Sequence, residues 1–293
     1  MKDKNIRLIF VMLICFMLEI GYMPAKASES EQNIETPQSS QPVSYYSNGS
    51  FPQIERVVNL LSAIPTRQGS LLFIIDHRNR EPITEDPFHN FLGFDSGGLK
   101  IGLGVRYGLL NNMDIGIYRL NGSAETFDVY EFDVRYRLLR QETHFIDLAI
   151  RPGYTLFSQS HGQDASGGFV QLLVNRTFYD RLRLGTGFLY HSDSSNDTKS
   201  DQDKNYSAAI LSSLEIRILP QLAWGIEMSS NIAGYRSAHP QLSTAIKYLT
   251  DRHTFSLVLS NTQYISADGI VSNTDRTLSD LIIGFSITRE LSF

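Results

Sequence analysis

From Gly69 to the end of the chain, apolar and polar residues alternate in blocks of about ten. Successive side chains of a strand point to opposite faces, so a period of two predicts strands with one apolar and one polar face. The second block is the cleanest, with Leu99, Ile101, Leu103, Val105 and Tyr107 on one parity and Lys100, Gly102, Gly104 and Arg106 on the other. The third sets Met113, Ile115 and Ile117 against Asp114, Gly116 and Tyr118. The fourth sets Tyr130, Phe132, Val134, Tyr136 and Leu138 against Glu131, Asp133, Arg135 and Arg137. In the first block Leu71, Phe73 and Ile75 alternate with Ser70, Ile74 and Asp76, although Leu72 blurs the count. Pro152 interrupts the fifth, and with Gly153 beside it the expectation is a bulge. The last sets Leu281, Ile283, Phe285, Ile287, Leu291 and Phe293 against Gly284, Ser286, Thr288, Glu290 and Ser292. About twelve such blocks fill residues 69–293.

The connections separate a membrane barrel from a soluble sandwich. Tight links at Gly108–Asn112, Leu139–Thr143, Phe178–Arg181, Leu219–Gln221 and Thr250–His253 alternate with longer ones throughout. Short periplasmic turns and long extracellular loops alternate in this way in outer-membrane barrels, whereas a sandwich has no reason to keep the rule. The expected fold is therefore all-β, an antiparallel up-and-down transmembrane β-barrel of about twelve strands with both termini periplasmic. A charge on the lipid face near the midplane costs roughly 2–4 kcal/mol, so charges should keep the other parity. Lys100, Arg106, Asp114, Glu131, Asp133, Arg135, Asp147, Arg151, Arg183, Glu215, Arg217, Glu227 and Lys247 all do. Arg119 and Arg289 break it near strand ends, where a long side chain can snorkel. Tyr107, Tyr136, Tyr190 and Tyr248 fall outward near strand ends, as in an aromatic girdle.

The amino terminus bounds the destination. Lys2, Lys4 and Arg7 precede an apolar run from Leu8 to Ile20, followed by Ala25-Lys26-Ala27. This pattern is that of a Sec signal peptide, residues 1–27, cut after Ala27. Cys15, the single cysteine, lies inside that run, so no disulfide is expected in the exported chain. Residues 28–50 are rich in Ser, Gln, Glu and Pro and read as a flexible leader. Residues 51–68 form an N-terminal segment, periplasmic or associated with the lumen. Ile54, Val57, Val58, Leu61 and Ile64 have helix-like spacing, yet the stretch could equally be extended. A net charge of −5 without a basic run argues against a nucleic-acid partner.

Several stretches carry a family resemblance. They are Arg56-Val57-Val58-Asn59, then Gly69-Ser70-Leu71-Leu72-Phe73-Ile74-Ile75-Asp76-His77-Arg78, and later Phe91-Leu92-Gly93-Phe94-Asp95, Gly102-Leu103-Gly104-Val105-Arg106-Tyr107-Gly108 and Tyr136-Arg137-Leu138-Leu139-Arg140-Gln141. With His253-Thr254-Phe255, Ser260-Asn261 and Gly284-Phe285-Ser286-Ile287-Thr288-Arg289, they resemble a bacterial family described simply as a membrane-bound β-barrel domain. After His77-Arg78 that family shows an aromatic and a glycine where Asn79-Arg80 stand here. The resemblance implies an outer-membrane barrel and no activity. The closing strand also resembles the last strand of Gram-negative outer-membrane barrels. On that likeness Phe285, Ile287, Leu291 and Phe293 form a signal for the assembly machinery.

Three readings of function remain open. Lys100, Arg106, Glu131, Asp133, Arg135, Asp147, Arg151, Arg183, Glu215, Arg217 and Glu227 form a candidate lumen charge network, with Asp133 and Arg135 expected to face Asp147 and Arg151. Such a network either lines a narrow channel for small solutes or fills the barrel structurally. A lipid-modifying enzyme would use His191, but Ser192 has the opposite parity and Ser194 stands three residues away, so no catalytic residue is expected. An extracellular-loop binding protein is the third reading. Its acidic loop, with Asp193, Asn196, Asp197, Asp201 and Asp203, lacks the spacing of a calcium site. No cofactor or metal is expected. The expected partners are outer-membrane lipid, the assembly machinery and a small solute.

Overall fold

The alternating blocks close on themselves. A computed structural model describes residues 55–84, 99–122, 126–158, 164–194, 200 and 202–292. The signal peptide, the leader, residues 51–54, Phe91 to Asp95, Asn196, Asp197, Asp201 and Phe293 lie outside the described residues. The strands are β1 (Ser70–Asn79), β2 (Leu99–Leu110), β3 (Met113–Leu120), β4 (Asp128–Leu139), β5 (Asp147–Ser158) and β6 (Ala165–Phe178). They continue as β7 (Leu182–His191), β8 (Ser207–Leu219), β9 (Leu222–Gly234), β10 (Gln241–Leu249), β11 (His253–Ser260) and β12 (Ile282–Ser292). Each pairs antiparallel with its sequence neighbours, and β1 pairs with β12 from Ser70↔Ser292 to Arg78↔Gly284. Closure leaves no unpaired edge, which a sheet in hydrocarbon cannot carry.

Both barrel ends, Ser70 and Ser292, sit on the rim of the short turns. That rim is the periplasmic one in barrels of this type. The two faces are as the parity requires. Leu103, Ile117 and Leu257 are half exposed on the outside, at 48%, 56% and 54%, whereas Lys100, Arg135 and Glu215 are wholly buried on the inside. The four outward tyrosines are likewise exposed.

The expected bulge at Pro152 does not form. The β5–β6 register runs unbroken through Pro152↔Val170 and Gly153↔Phe169. The register shifts lie elsewhere, at Gly108/Leu110, Arg137/Leu139, Ala208/Ala209 and Arg217/Leu219. Gly153 has a different task. A Cβ there would collide with the Phe169 ring, so the glycine makes room for an aromatic turned into the lumen.

Two segments that belong to no strand fill the interior. Residues 55–68 enter from the short-turn rim, where the Gly69 N–H donates to the Gly108 carbonyl at 2.8 Å. They form neither a helix nor a strand. Arg56 and Leu61 pair in an isolated bridge, and the chain turns tightly between them. From the opposite rim, the β11–β12 connection folds inward and carries a one-turn helix, α1 (Ala267–Ile270), all of it buried. The two meet in an apolar cluster in which Leu60 packs with Phe169, Leu189, Ala209, Leu211, Ala267, Ile270 and Val271.

Candidate functional site

The lumen is built around the turn at Arg56–Leu61. The turn satisfies two of its own donors, the Val57 N–H on the Leu60 carbonyl at 3.0 Å and the Ser62 N–H on the Glu55 carbonyl at 2.6 Å, and because it is buried away from water the wall must supply acceptors for the others. Glu227, projecting inward from β9, accepts the N–H groups of Val58, Asn59 and Leu60 at 3.0, 2.8 and 2.9 Å. Arg56 pairs with Asp76 of β1 at 2.9 Å, and Lys247 of β10 donates to the Arg56 carbonyl at 2.7 Å. The Asn59 amide bridges two strands, accepting from Arg78 at 2.8 Å and donating to Ser243 at 2.9 Å. Further along, Ala63 donates to Asn175, Arg135 donates to the Ser62 carbonyl, and Thr66 donates to Asp114. Gly225, two residues before Glu227 on the same face, lets the turn approach, since a Cβ there would lie 3.0 Å from Val57 Cγ1.

The charged residues expected inside are all buried there, but they form separate groups. In the largest, Arg106 pairs with Asp114 at 2.7 Å and with Asp133 at 2.6 Å, and Arg135 also holds Asp114. Arg151 holds Asp133 at 2.8 Å and also binds Glu131. A second group joins Lys247 to Glu215 at 2.5 Å, with Arg183 at 3.8 Å. The expected facing of Asp133/Arg135 with Asp147/Arg151 holds only for Asp133 with Arg151. Asp147 pairs instead with Arg137 and accepts from the Gln141 N–H, tying down the 140–146 turn. Arg217 donates to the Pro220 carbonyl at the rim, and Lys100 donates to the Asn121 carbonyl and lies over the Tyr264 ring.

Glu55, Arg56, Asp76 and Arg78 belong to the site but not to the expected network, and Asp114, Arg137 and Lys247, although of inward parity, lie outside it too. Asp76 accepts from Tyr118 at 2.9 Å and from Ser286 at 2.5 Å besides its pair with Arg56. Asp76 and Arg78 share the inward parity of Ser70, and this was the available signal.

The inward β11–β12 connection closes the other end. Glu131, Ser229, Asn231 and Gln241 reach from the wall to its backbone at Ala267, Ile270, Val271 and Gly269. Between it and the Arg56–Leu61 turn remains a cavity of about 40 Å³, bordered by Glu55, Arg106, Tyr118, Glu131 and Arg151 among others. At about 10–15 Å³ per water, it has room for roughly three waters.

His191 faces the lumen, stacked on Phe169 with ring centroids 5.9 Å apart. Its Nδ1 accepts from the Asp193 N–H at 3.2 Å, so the ring proton sits on Nε2, 3.0 Å from the Thr155 hydroxyl. The Ser192 hydroxyl accepts from the Gly168 N–H, and Ser194 pairs with Ser207. Among the described residues no cluster of His, Cys, Asp and Glu could hold a metal ion. Of the closing-strand residues, Phe285 is exposed and Ile287 and Leu291 are half buried.

A closed antiparallel barrel of twelve strands, apolar outside and charged within, defines a β-barrel membrane protein of the outer-membrane type. The chain belongs to the family described as a membrane bound beta barrel domain (DUF5777), which matches residues 53–291. No curated protein matches it. Among solved structures it is similar to a KdgM porin, at 12% identity and a TM-score of 0.46, over 76% of this chain and 99% of that one. An outer membrane channel from Pseudomonas putida F1 is similar at 10% identity and a TM-score of 0.47, over 78% and 98%. Outer membrane phospholipase A from Escherichia coli matches at 10% identity and a TM-score of 0.44, over 75% and 89%.

Proposed function

We propose that the protein is a narrow outer-membrane channel for small solutes, held shut by its own residues 55–66 and opened when they leave the lumen. The observation that carries this reading is how the lumen is closed. A barrel that serves only as structure can fill its interior with wall side chains, but here a separate segment enters from one rim and is held by a set of polar contacts beside the apolar packing of Val57, Val58, Leu60 and Ala63. Such polar contacts can be re-formed with water, at a net cost of roughly 0.5–1.5 kcal/mol for a neutral hydrogen bond and 1.5–3 kcal/mol for one to a charged group, so the segment can leave without the wall being taken apart. Withdrawal exposes charged walls that water will fill, and it takes Leu60 out of the cluster that seats Ala267, Ile270 and Val271, so that the β11–β12 connection loosens with it. On the same reading, outer-membrane lipid covers the apolar belt and the assembly machinery recognises the closing strand.

The test uses the contact between Val57 and Gly225. A Cβ built at 225 is 3.0 Å from Val57 Cγ1 and 3.8 Å from its carbonyl carbon. Cysteines at the two sites therefore sit near the Cβ separation of a disulfide, about 3.5–4.5 Å. In a background without Cys15, the Val57→Cys/Gly225→Cys protein should be silent in planar bilayers when oxidised and should show openings after reduction. Equal conductance in both states, or none from either it or the wild type, overturns the channel reading.

A lipid hydrolase finds less support, because the His191 nitrogens bond to Thr155 and to the Asp193 N–H rather than to a serine of the described residues. His191→Ala should leave lipase activity at the wild-type level, whatever that level is. A loss of measurable activity would restore the enzymatic reading.

A further inference from the structure

The wall groups that hold residues 55–66 have a chemistry of their own. Glu227 is filled by three consecutive backbone N–H groups, a recognition that needs no particular side chain and only a polypeptide in a tight turn. Lys247 and Arg135 supply donors for two carbonyls of the same segment. Two side chains are then read specifically. Asp76 takes the guanidinium of Arg56, and Arg78 with Ser243 takes the two ends of the Asn59 amide, its oxygen and its nitrogen respectively. The Arg56–Asn59 spacing therefore matches groups placed on β1 and β10, on either side of the closing strands β11 and β12. Leu60 enters the apolar cluster formed with Leu189 and Leu211. Backbone acceptors, backbone donors, two selective polar sites and an apolar pocket together make a peptide-binding site.

We infer that this wall is an exchangeable receptor for a peptide with an Arg-Val-Val-Asn-Leu core, occupied in cis by residues 55–66 and able to bind the same sequence offered in trans. None of the wall contacts depends on the covalent link at Arg67 to Gly69. Arg67 and Gln68 are exposed, and the backbone bonds of the link, from the Gly69 N–H to the Gly108 carbonyl and from the Ser70 N–H to the Arg67 carbonyl, lie apart from the groups that hold Arg56 to Ala63, so the link can be opened after folding. This inference concerns binding and stands whether or not the lumen conducts.

The experiment inserts a site-specific protease sequence between Arg67 and Gln68 of the full chain, folds the protein and then cuts it. The severed segment should remain with the barrel through gel filtration in detergent. A fluorescent peptide of residues 55–66 should then replace it, with a rise in anisotropy. A scrambled peptide of the same composition should compete at least tenfold more weakly, and so should the peptide carrying Arg56→Ala and Asn59→Ala. Three results would each overturn the proposal. The segment leaves on cutting and the peptide does not bind, the scrambled peptide binds equally well, or the severed segment stays and cannot be displaced by excess peptide. Conductance of the cut protein is recorded separately, so failure of the channel reading and failure of the receptor reading are distinguishable.

Discussion

Glu227→Ala is expected to raise the open probability of the barrel at least a hundredfold over the wild type. The carboxylate accepts three backbone N–H groups from the turn that lies in the lumen. Hydrogen bonds to a charged group contribute roughly 1.5–3 kcal/mol each, and an alanine leaves the three donors buried without an acceptor. The three act on one turn and will not add fully, but about 3 kcal/mol is a conservative sum and corresponds to about a hundredfold in an equilibrium constant. The barrel itself should persist, because Glu227 makes no ladder bond with its side chain. Single-channel recording reads the effect, with an unchanged heat-dependent gel shift reporting an intact barrel. A variant that folds and opens no more often than the wild type would mean that Glu227 is not what holds the segment in.

Arg106→Met is expected to destabilise the folded barrel by about 3–5 kcal/mol, the usual cost of stranding one side of a buried ion pair. Arg106 lies between Asp114 at 2.7 Å and Asp133 at 2.6 Å, and Glu55 stands 3.5 Å from its Nε. Removing the guanidinium leaves these carboxylates close together in a wall where Arg135 and Arg151 are already engaged. Arg119→Ala serves as the comparison. Its pair with Asp128 is partly exposed on both sides, at 43% and 32%, so its loss should cost about 1 kcal/mol or less. Urea unfolding in detergent, followed by tryptophan emission from Trp224, orders the two. Equal midpoints would show that the interior charges contribute no more than surface ones.

These expectations reach different depths in the sequence. The strands, their number, the closure and the inward parity of the charges follow from a period of two in stretches such as 99–107 and 130–138. Lipid outside and polar surroundings inside impose that period on each strand. It weakens where the interior is not water. Leu72, Ile74, Phe169, Leu173, Leu189 and Leu211 are apolar and face inward, toward the filling segments or their neighbours, so the blocks that carry them alternate less cleanly. The filling segment itself was the hardest to read. Val57, Val58 and Leu61 are spaced as in a helix, yet the turn is shaped by Glu227, Asp76 and Arg78, residues that lie far away in the chain. No local period can record such a partner. Pro152 misled for a related reason. Its missing donor suggested a bulge, but the strand stays in register and the neighbouring glycine instead accommodates Phe169.

The channel and the peptide receptor both depend on residues 55–66 occupying the lumen against β9 and β10. Cross-linking in native membranes tests that placement without purification or current measurement. With Cys15 replaced, Val57→Cys and Gly225→Cys should form a disulfide in nearly all molecules under mild oxidation, seen as a mobility shift reversed by reductant. Val57→Cys alone should resist a membrane-impermeant maleimide until the barrel is unfolded. Free thiols at both sites, with the thiol at position 57 labelled rapidly in intact membranes, would place the segment outside the lumen and contradict the account.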